Sequence, residues 1–536
     1  MPEQSQSSSR LTRVSVYAVV AAAFAVLLMP TPDGMSVVAQ RVLAVTILMA
    51  GLWVTQAISL AATSLLPLAL YPTLGIQSAK TVSKAYINDN VFLYLGGFII
   101  ALGIERWGLH KRIALNIVRV VGVSPKRLVL GFLLATALLS MWISNTATTL
   151  LMLPIALALL KTLDEEQSCD ASDASKGDQL SNSLAVPLLL AIAYSASIGG
   201  LTTIIGTPTN NAAVAIYRET FVDVEPPAAS VLKTATVTTA APLSGRDLDI
   251  SVASWMIACV PIGLVYLAIT WLVLTFRLPG QTPHDATLKL ELSRRLTGLG
   301  KPSAAESRML VIFVLTAAMW VFRKPLGLWL VSSFPDSTDL ATTVSYVNDS
   351  TISIAMAFLL FCVPSGQRDE ANQNMALMNW KTASRLPWDI MLLFGGGFAL
   401  AGAFDSSGLS QWLGTALQGP LQGQALWVII ASMCLLMTFL TEFTSNVATV
   451  NTLMPTLCVL CVKLDIDPRM LIVPATLATS CAFMLPIATP PNAIVFGSGR
   501  IKVSEMVRYG LLLNLLGVPI LTAATYLLIK PLMQIP

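Results

Sequence analysis

The chain has 536 residues, 55% of them hydrophobic and 12% charged, with a formal net charge of +4 and a mean hydropathy of +0.71. A soluble domain carries about 25% charged residues; this deficit, with repeated apolar runs of about 20 residues, excludes a soluble globular protein and marks an all-α polytopic membrane protein. The small positive balance fits Lys and Arg in cytoplasmic loops rather than nucleic acid, and two histidines, His110 and His284 in loop-like stretches, cannot build a His-based metal centre or triad.

Residues 1–13 are polar and Ser-rich and read as a disordered cytoplasmic tail. The apolar run from Val14 to Met29 follows Arg10 and Arg13; without a small-residue cleavage site after it, it reads as a first membrane helix rather than a cleaved signal. Spans are expected at 14–30, 41–71 with a break near Pro67, 89–105 and 127–143. Between the last two, Leu109 to Val121 alternates apolar and basic residues at helical spacing, as an amphipathic surface helix does; an ordinary basic loop is the alternative. A polar insert at 161–183 precedes spans at 185–217 and 252–276, themselves separated by Arg218 to Ile250 with Glu219, Asp223, Glu225, Asp247 and Asp249. The segment 277–308, with Lys289, Arg294, Arg295 and Lys301, is expected to be cytoplasmic, like the N-terminus. Further spans follow near 309–332, 350–364, 388–404, 425–441, 470–496 and 509–531. Cys458 and Cys461 form a CxxC within an apolar run with no partner pair, so buried thiols are the reading there.

The two halves are related. Leu95-Gly96-Gly97-Phe98 with Gly108-Leu109 returns as Gly395-Gly396-Gly397-Phe398 with Gly408-Leu409. Ser144-Asn145-Thr146 returns as Ser445-Asn446-Val447, and Thr207-Pro208-Thr209-Asn210 as Thr489-Pro490-Pro491-Asn492. The first two pairs are offset by 300 and 301 residues and the third by 282, the difference falling where the insert at 161–183 lies. This supports a duplication, with copies of opposite orientation if an odd number of crossings separates them.

Each repeated patch is small and polar where a membrane helix should be apolar. Ser, Asn and Thr compete with helical hydrogen bonding and make good N-caps. A helix entering to Trp142, turning at Ser144-Asn145 and leaving through Pro154 is a natural conformation, and its tip must line a cavity because turn backbone cannot face lipid. Pro208, and Pro490 with Pro491, disturb their own helices. Half-helices broken in this way are expected to offer N–H groups and a positive dipole end to anions, and freed carbonyls to Na⁺. Small residues that merely allow close helix packing are the bland alternative; four patches in two matched pairs favour one site for a small anion.

Ser140-Met141-Trp142-Ile143-Ser144-Asn145-Thr146, Thr441-Glu442-Phe443-Thr444-Ser445-Asn446 and Leu485-Pro486-Ile487-Ala488-Thr489-Pro490-Pro491-Asn492 resemble motifs of the divalent anion–sodium symporter family, and the resemblance runs from about residue 41 to the end. It implies an inverted-repeat homodimer with about eleven transmembrane helices and two re-entrant helical hairpins per protomer. It also implies scaffold domains at 14–134 and 309–424, transport domains at 135–276 and 425–536 joined by the linker 277–308, and elevator-type alternating access. By motif, the resemblance places Asn145, Thr146, Thr207, Ser445, Asn446, Val447, Thr489 and Pro490 around a dicarboxylate of the succinate, malate or fumarate type. It places one Na⁺ among Ser140, Ser144, Asn145 and Gly206, and a second among Thr441, Thr444, Asn446 and Ala488, several ligands being backbone carbonyls. Two departures stand out. Val447 lacks the hydroxyl that Thr146 keeps, which opens citrate or sulfate as alternative substrates, and Gln56 stands where an acidic residue is common.

None of the four patches holds Lys or Arg, so bound Na⁺ and helix ends must balance a dianion. Proton coupling is the nearest rival, through the intramembrane Glu442; a structural acceptor holding the second hairpin is the preferred reading of that residue. A channel predicts a continuous polar path, yet the polarity sits at one level, and an enzyme lacks His and paired carboxylates near the patches. The short tails and lack of a targeting signal lead to the expectation of a bacterial inner membrane.

Overall fold

Apolar runs punctuated by Pro, Gly and capping residues fold into a helical bundle in the computed structural model, which describes residues 4–55, 57–169, 174–222, 249–279, 285–334, 337–368, 372, 374–413, 415 and 423–535. Gln56, His284, Asp223, Glu225 and Asp247 lie outside these residues. Nine helices among the described residues are long and apolar enough to cross a membrane, or ten if the bent pair Thr338–Tyr346 and Asp349–Cys362 counts as one span. The count includes the returning arms of both hairpins and leaves out shorter apolar helices such as Val16–Leu28 and Leu426–Thr441. One antiparallel ribbon, Pro364–Arg368 with Asn374–Ala376, adds two short strands that an all-helical reading misses.

Several boundaries differ from expectation for local reasons. The first helix begins at Gln4 rather than 14. The expected break at Pro67 falls earlier: the helix Val37–Thr55 ends before short helices at Leu60–Thr63 and Leu66–Thr73, and Pro67 sits in the first turn of the latter. A first-turn Pro removes an amide that has no intrahelical acceptor, so it starts a helix rather than breaking one. The amphipathic segment is a helix over Leu109–Val121, bounded by Gly108 and Gly122 in left-handed or unusual backbone conformations. His110 lies in this helix and is buried, not in a loop, with Nδ1 3.1 Å from Ile104 O; burial lowers its pKa and favours the neutral ring. Cys458 and Cys461 are buried and unbridged.

The paired glycines serve close packing. A Cβ on Gly96 would strike Ser353, and one on Gly396 would lie 2.6 Å from the Ser64 Cβ, so neither helix, Asp89–Arg106 or Trp388–Ser407, accepts a side chain there. The helix Leu184–Leu201, apolar on every side, lies wholly inside the protein, whereas Ala304–Ser333 exposes Val311, Val314, Phe322, Leu328 and Trp329. That division is what a bilayer-facing and a bundle-facing helix require.

The two halves interlock. The first hairpin, Pro125–Ser140 and Asn145–Cys169, packs against Ala174–Leu201, and the second, Leu426–Thr441 and Asn446–Lys463, packs against Pro468–Thr479. The far half of each broken helix crosses over: Pro208–Phe221 packs on Asn446–Lys463, and Pro490–Phe496 on Asn145–Cys169 and Ala174–Leu201. This exchange brings four helix starts to one place.

Candidate functional site

The first hairpin reverses over Met141 to Ser144. Ser144 caps the returning helix: its Oγ accepts from Ala147 N at 3.2 Å and its carbonyl from Thr148 N at 3.0 Å. The second hairpin reverses over Glu442 to Ser445, where Ser445 is the N-cap but its hydroxyl makes no cap bond. The N–H groups of Asn145 and Thr146, and of Asn446 and Val447, precede the first intrahelical bond of their helices.

The broken helices differ from expectation in one respect. The break precedes the prolines: residues 202–207 and 480–489 are the irregular stretches, and Pro208, Pro490 and Pro491 occupy the first turns of the second halves. Those prolines remove the amides that an anion would otherwise use, so the polar groups on offer there are the N-cap threonines, Thr207 and Thr489. A buried Asn secures each break. Asn210 Nδ2 donates to the carbonyls of Gly200, Leu201 and Thr203 at 3.2, 3.1 and 2.8 Å. Asn492 Nδ2 does the same for Ala482 and Leu485 at 3.1 and 3.0 Å.

The four patches line one cavity of about 760 Å³. Asn145, Thr146, Thr207, Ser445, Asn446, Val447, Thr489 and Pro490 all contribute to its wall, together with Ser144 and Ala488. Thr207 and Thr489 are each 4% exposed; the Thr207 hydroxyl donates to Thr209 Oγ1 at 3.3 Å and that of Thr489 accepts from Asn492 N at 3.4 Å, so both are held at the start of their helices in the cavity wall. Such a volume suits a small organic ligand, and the helix starts converging on it contribute a positive potential of their own.

Of the remaining predicted residues, Ser140 and Thr441 form two matched hydroxyl–amide pairs with the wall residues Asn145 and Asn446. Ser140 Oγ donates to Ala196 O at 2.7 Å and lies 2.7 Å from the end of the Asn145 amide, and Thr441 Oγ1 donates to Asn446 Oδ1 at 2.6 Å. In the first pair the end of the Asn145 side chain also lies 3.1 Å from Ala196 O and 3.3 Å from Gly206 O. A nitrogen at that position donates to all of these acceptors; an oxygen there completes a cluster of four oxygens, the donor set that holds a hard cation. A Cβ on Gly206 would lie 2.6 Å from Gly200 O and 2.9 Å from Ser140 O, so only glycine leaves this cradle open. The residues present therefore fit a Na⁺ ion. In the second half the Thr444 hydroxyl turns elsewhere, 3.0 Å from Leu440 O and 2.6 Å from Thr449 Oγ1, leaving its carbonyl as its only group for an ion.

Glu442 is buried, and both its oxygens are engaged: Oε1 accepts from Met484 N at 2.9 Å and from Asn514 Nδ2 at 2.6 Å, and Oε2 from Leu485 N at 3.0 Å. The carboxylate thus fastens the second hairpin to the 480–489 break that carries Ala488 and Thr489.

Two charged residues in the cavity wall escape sequence reasoning: Arg385 and Glu105. Arg385 precedes Leu386-Pro387-Trp388 in a loop and reads as an ordinary flanking cation; its counterpart at an offset of 300 is Ala85, so the repeat does not single it out. Glu105 reads as a solvated span end.

Comparison with known proteins gives three results. The family described as "Sodium:sulfate symporter transmembrane region" matches residues 10–535. The sodium-dependent dicarboxylate transporter SdcS of Staphylococcus saprophyticus is 37% identical over 515 residues, 95% of this chain and 90% of that one; SdcS of Staphylococcus aureus strain USA300 is 37% identical over 494 residues, 90% and 85% of the two chains. The structure of MtrF from Neisseria gonorrhoeae, described as illuminating a class of antimetabolite efflux pumps, aligns with a TM-score of 0.52 at 13% identity, covering 98% of this chain and 96% of that one. At that identity the likeness concerns the fold alone.

Proposed function

We propose, from the premise that this chain belongs to the sodium:sulfate symporter family, that it is a secondary active transporter carrying small dicarboxylates with Na⁺ across a bacterial inner membrane. The observation that carries the reading is the meeting of four polar patches, free of Lys and Arg, at one cavity. The two charged side chains of the wall, Arg385 and Glu105, cancel in formal charge, so a dianion on the patches is stabilised by the starts of the two hairpin helices, by the threonine hydroxyls and by bound Na⁺. The dicarboxylate class follows the relatives' printed name.

Asn145, Thr146 and Thr207 hold one carboxylate; Ser445, Asn446 and Thr489 hold the other, with Val447 and Pro490 forming the apolar wall between. One Na⁺ sits among Ser140, Ser144, Asn145 and Gly206, and a second among Thr441, Thr444, Asn446 and Ala488. Sodium orders the hairpin tips, the anion docks on the ordered tips, and only the filled site moves, elevator fashion, within a homodimer whose N-termini are cytoplasmic. This coupling requires Na⁺ to bind the anion-competent state better than the empty one. The bonds made by Glu442 support its structural role over proton coupling.

The test is uptake of labelled succinate, malate, citrate and sulfate into proteoliposomes under imposed Na⁺ or H⁺ gradients. Uptake of succinate or malate driven by inward Na⁺ is expected; uptake driven by a pH gradient alone and indifferent to Na⁺ would overturn the sodium assignment. Restoring a hydroxyl with Val447→Thr is expected to shift the relative KM values of succinate and citrate by about three- to tenfold, since one hydrogen bond to a charged oxygen is worth about 1.5 kcal/mol. An unchanged ranking means that position 447 does not meet the substrate.

A further inference from the structure

The central cavity has a neighbour across part of its wall. A second cavity of about 660 Å³ shares Glu105, Ile143 and Ala147 with it and runs behind the first hairpin to the linker helix Asp285–Gly298. Its wall carries Lys111 and Arg295, while Arg385 stands at the central cavity. Lys111 and Arg385 are exposed, and Arg295 is partly exposed and paired to Glu291 at 2.8 Å. Among the described residues that line the two spaces Glu105 is the only carboxylate, and His110, though buried, is in the same wall as Lys111. The wall on the linker side is built, not incidental. Arg112, next to Lys111, donates to Glu306 Oε2 at 3.1 Å, to Gly300 O at 2.9 Å and to Leu299 O at 3.1 Å, and so fixes the end of the linker against the helix that presents Lys111.

The polarity of the two spaces is therefore complementary. The four patches of the central cavity offer neutral donors, and the adjoining cavity on the linker face carries the cations Lys111 and Arg295. A fixed cation at the four patches would hold an anion whether or not Na⁺ was bound; Lys111 and Arg295, outside the central wall, draw the anion in without short-circuiting that dependence, and Arg385 on the central wall is offset in formal charge by Glu105. We propose that the cavity lined by Lys111 and Arg295 is a second, peripheral station for small dianions on the linker face, occupied on the way into or out of the central cavity. The station rests on the carboxylate reading for its physiological ligand, but its charge is a property of the protein alone. Clefts lined by one sign of charge raise local counter-ion concentration and encounter rates by about 10- to 1000-fold.

A probe that needs no transport tests it. Ala147, on the wall common to both spaces, is replaced by Cys in a Cys362→Ser background, with the Ala147-retaining parent as blank, and its modification by a negatively and a positively charged methanethiosulfonate is timed in detergent. Normalised to a free thiol, the anionic reagent is expected to react about tenfold faster than the cationic one. The preference should fall towards unity with Lys111→Gln plus Arg295→Gln, or in about 0.5 M KCl, and rise with Glu105→Gln. Millimolar succinate should slow the anionic reagent in the Cys variant and lose that effect when both cations are removed. A preference that persists in the double variant, or favours the cationic reagent, overturns the station. Failure of the transport reading shows separately, as missing Na⁺-driven uptake by the unmodified protein.

Discussion

Asn145→Ala and Asn446→Ala are each expected to reduce Na⁺-driven carboxylate uptake by about a hundredfold or more while leaving a folded protein. The reason lies in the double duty of each side chain. Asn145 lines the cavity while its amide end reaches Ser140, Ala196 and Gly206 on the far side; Asn446 lines the cavity and accepts from Thr441. Bonds to charged groups are worth about 1.5–3 kcal/mol each, so losing one to the anion and one to the ion costs about 3 kcal/mol or more, which is two decades in affinity. Neither Asn is in a packed apolar core, so Ala removes function before it removes stability. Binding of succinate and Na⁺ by calorimetry, with thermal unfolding as the control for folding, reads both. Wild-type uptake in either variant removes the two-hairpin site; loss of folding in both means that the pairs are structural staples.

The second large effect is expected at Glu442, and here stability changes first. Its carboxylate accepts three hydrogen bonds from inside the protein, two of them from backbone N–H groups of the 480–489 break. Glu442→Gln keeps the shape but turns one acceptor into a donor that meets a donor, leaving a buried pair unsatisfied. A penalty of about 2–3 kcal/mol follows, seen as a lower unfolding temperature, together with weakened Na⁺-dependent uptake because the break carries Ala488 and Thr489 to the cavity. A proton-coupling residue behaves oppositely: its Gln variant keeps its stability and loses the pH dependence of transport. The two outcomes are separated by measuring unfolding and the pH profile on the same preparation.

Much of the architecture was legible in the sequence because a membrane constrains it so strongly. Without water in the bilayer core, backbone groups must bond internally, so apolar length alone marks helices, and a small polar patch inside one stands out against that background. The repeat made the patches interpretable: Ser144-Asn145 and Ser445-Asn446, Thr207-Pro208 and Thr489-Pro490 were found as pairs, and in the fold all four line one cavity. Local chemistry was less legible. A Pro inside an apolar run reads as a breaker, yet Pro67, Pro208, Pro490 and Pro491 all open helices, because the absent amide costs nothing in a first turn.

The sequence by itself therefore determined the helical membrane class, the duplication, and the identity of the polar residues available to an anion and a cation. Composition and periodicity carry that information locally, residue by residue. The tertiary structure alone decided what no local pattern encodes: that the far half of each broken helix crosses to the opposite hairpin, that Glu442 spends both oxygens on a neighbouring break, and that Lys111 and Arg295 line one cavity while Arg385 lines the cavity beside it. Those three cations lie far apart in the chain and have no counterparts in the repeated phrases. Only the packing of a surface helix, a linker helix and a pre-span loop against the first hairpin sets their distance, and the sequence records distance along the chain, not across it.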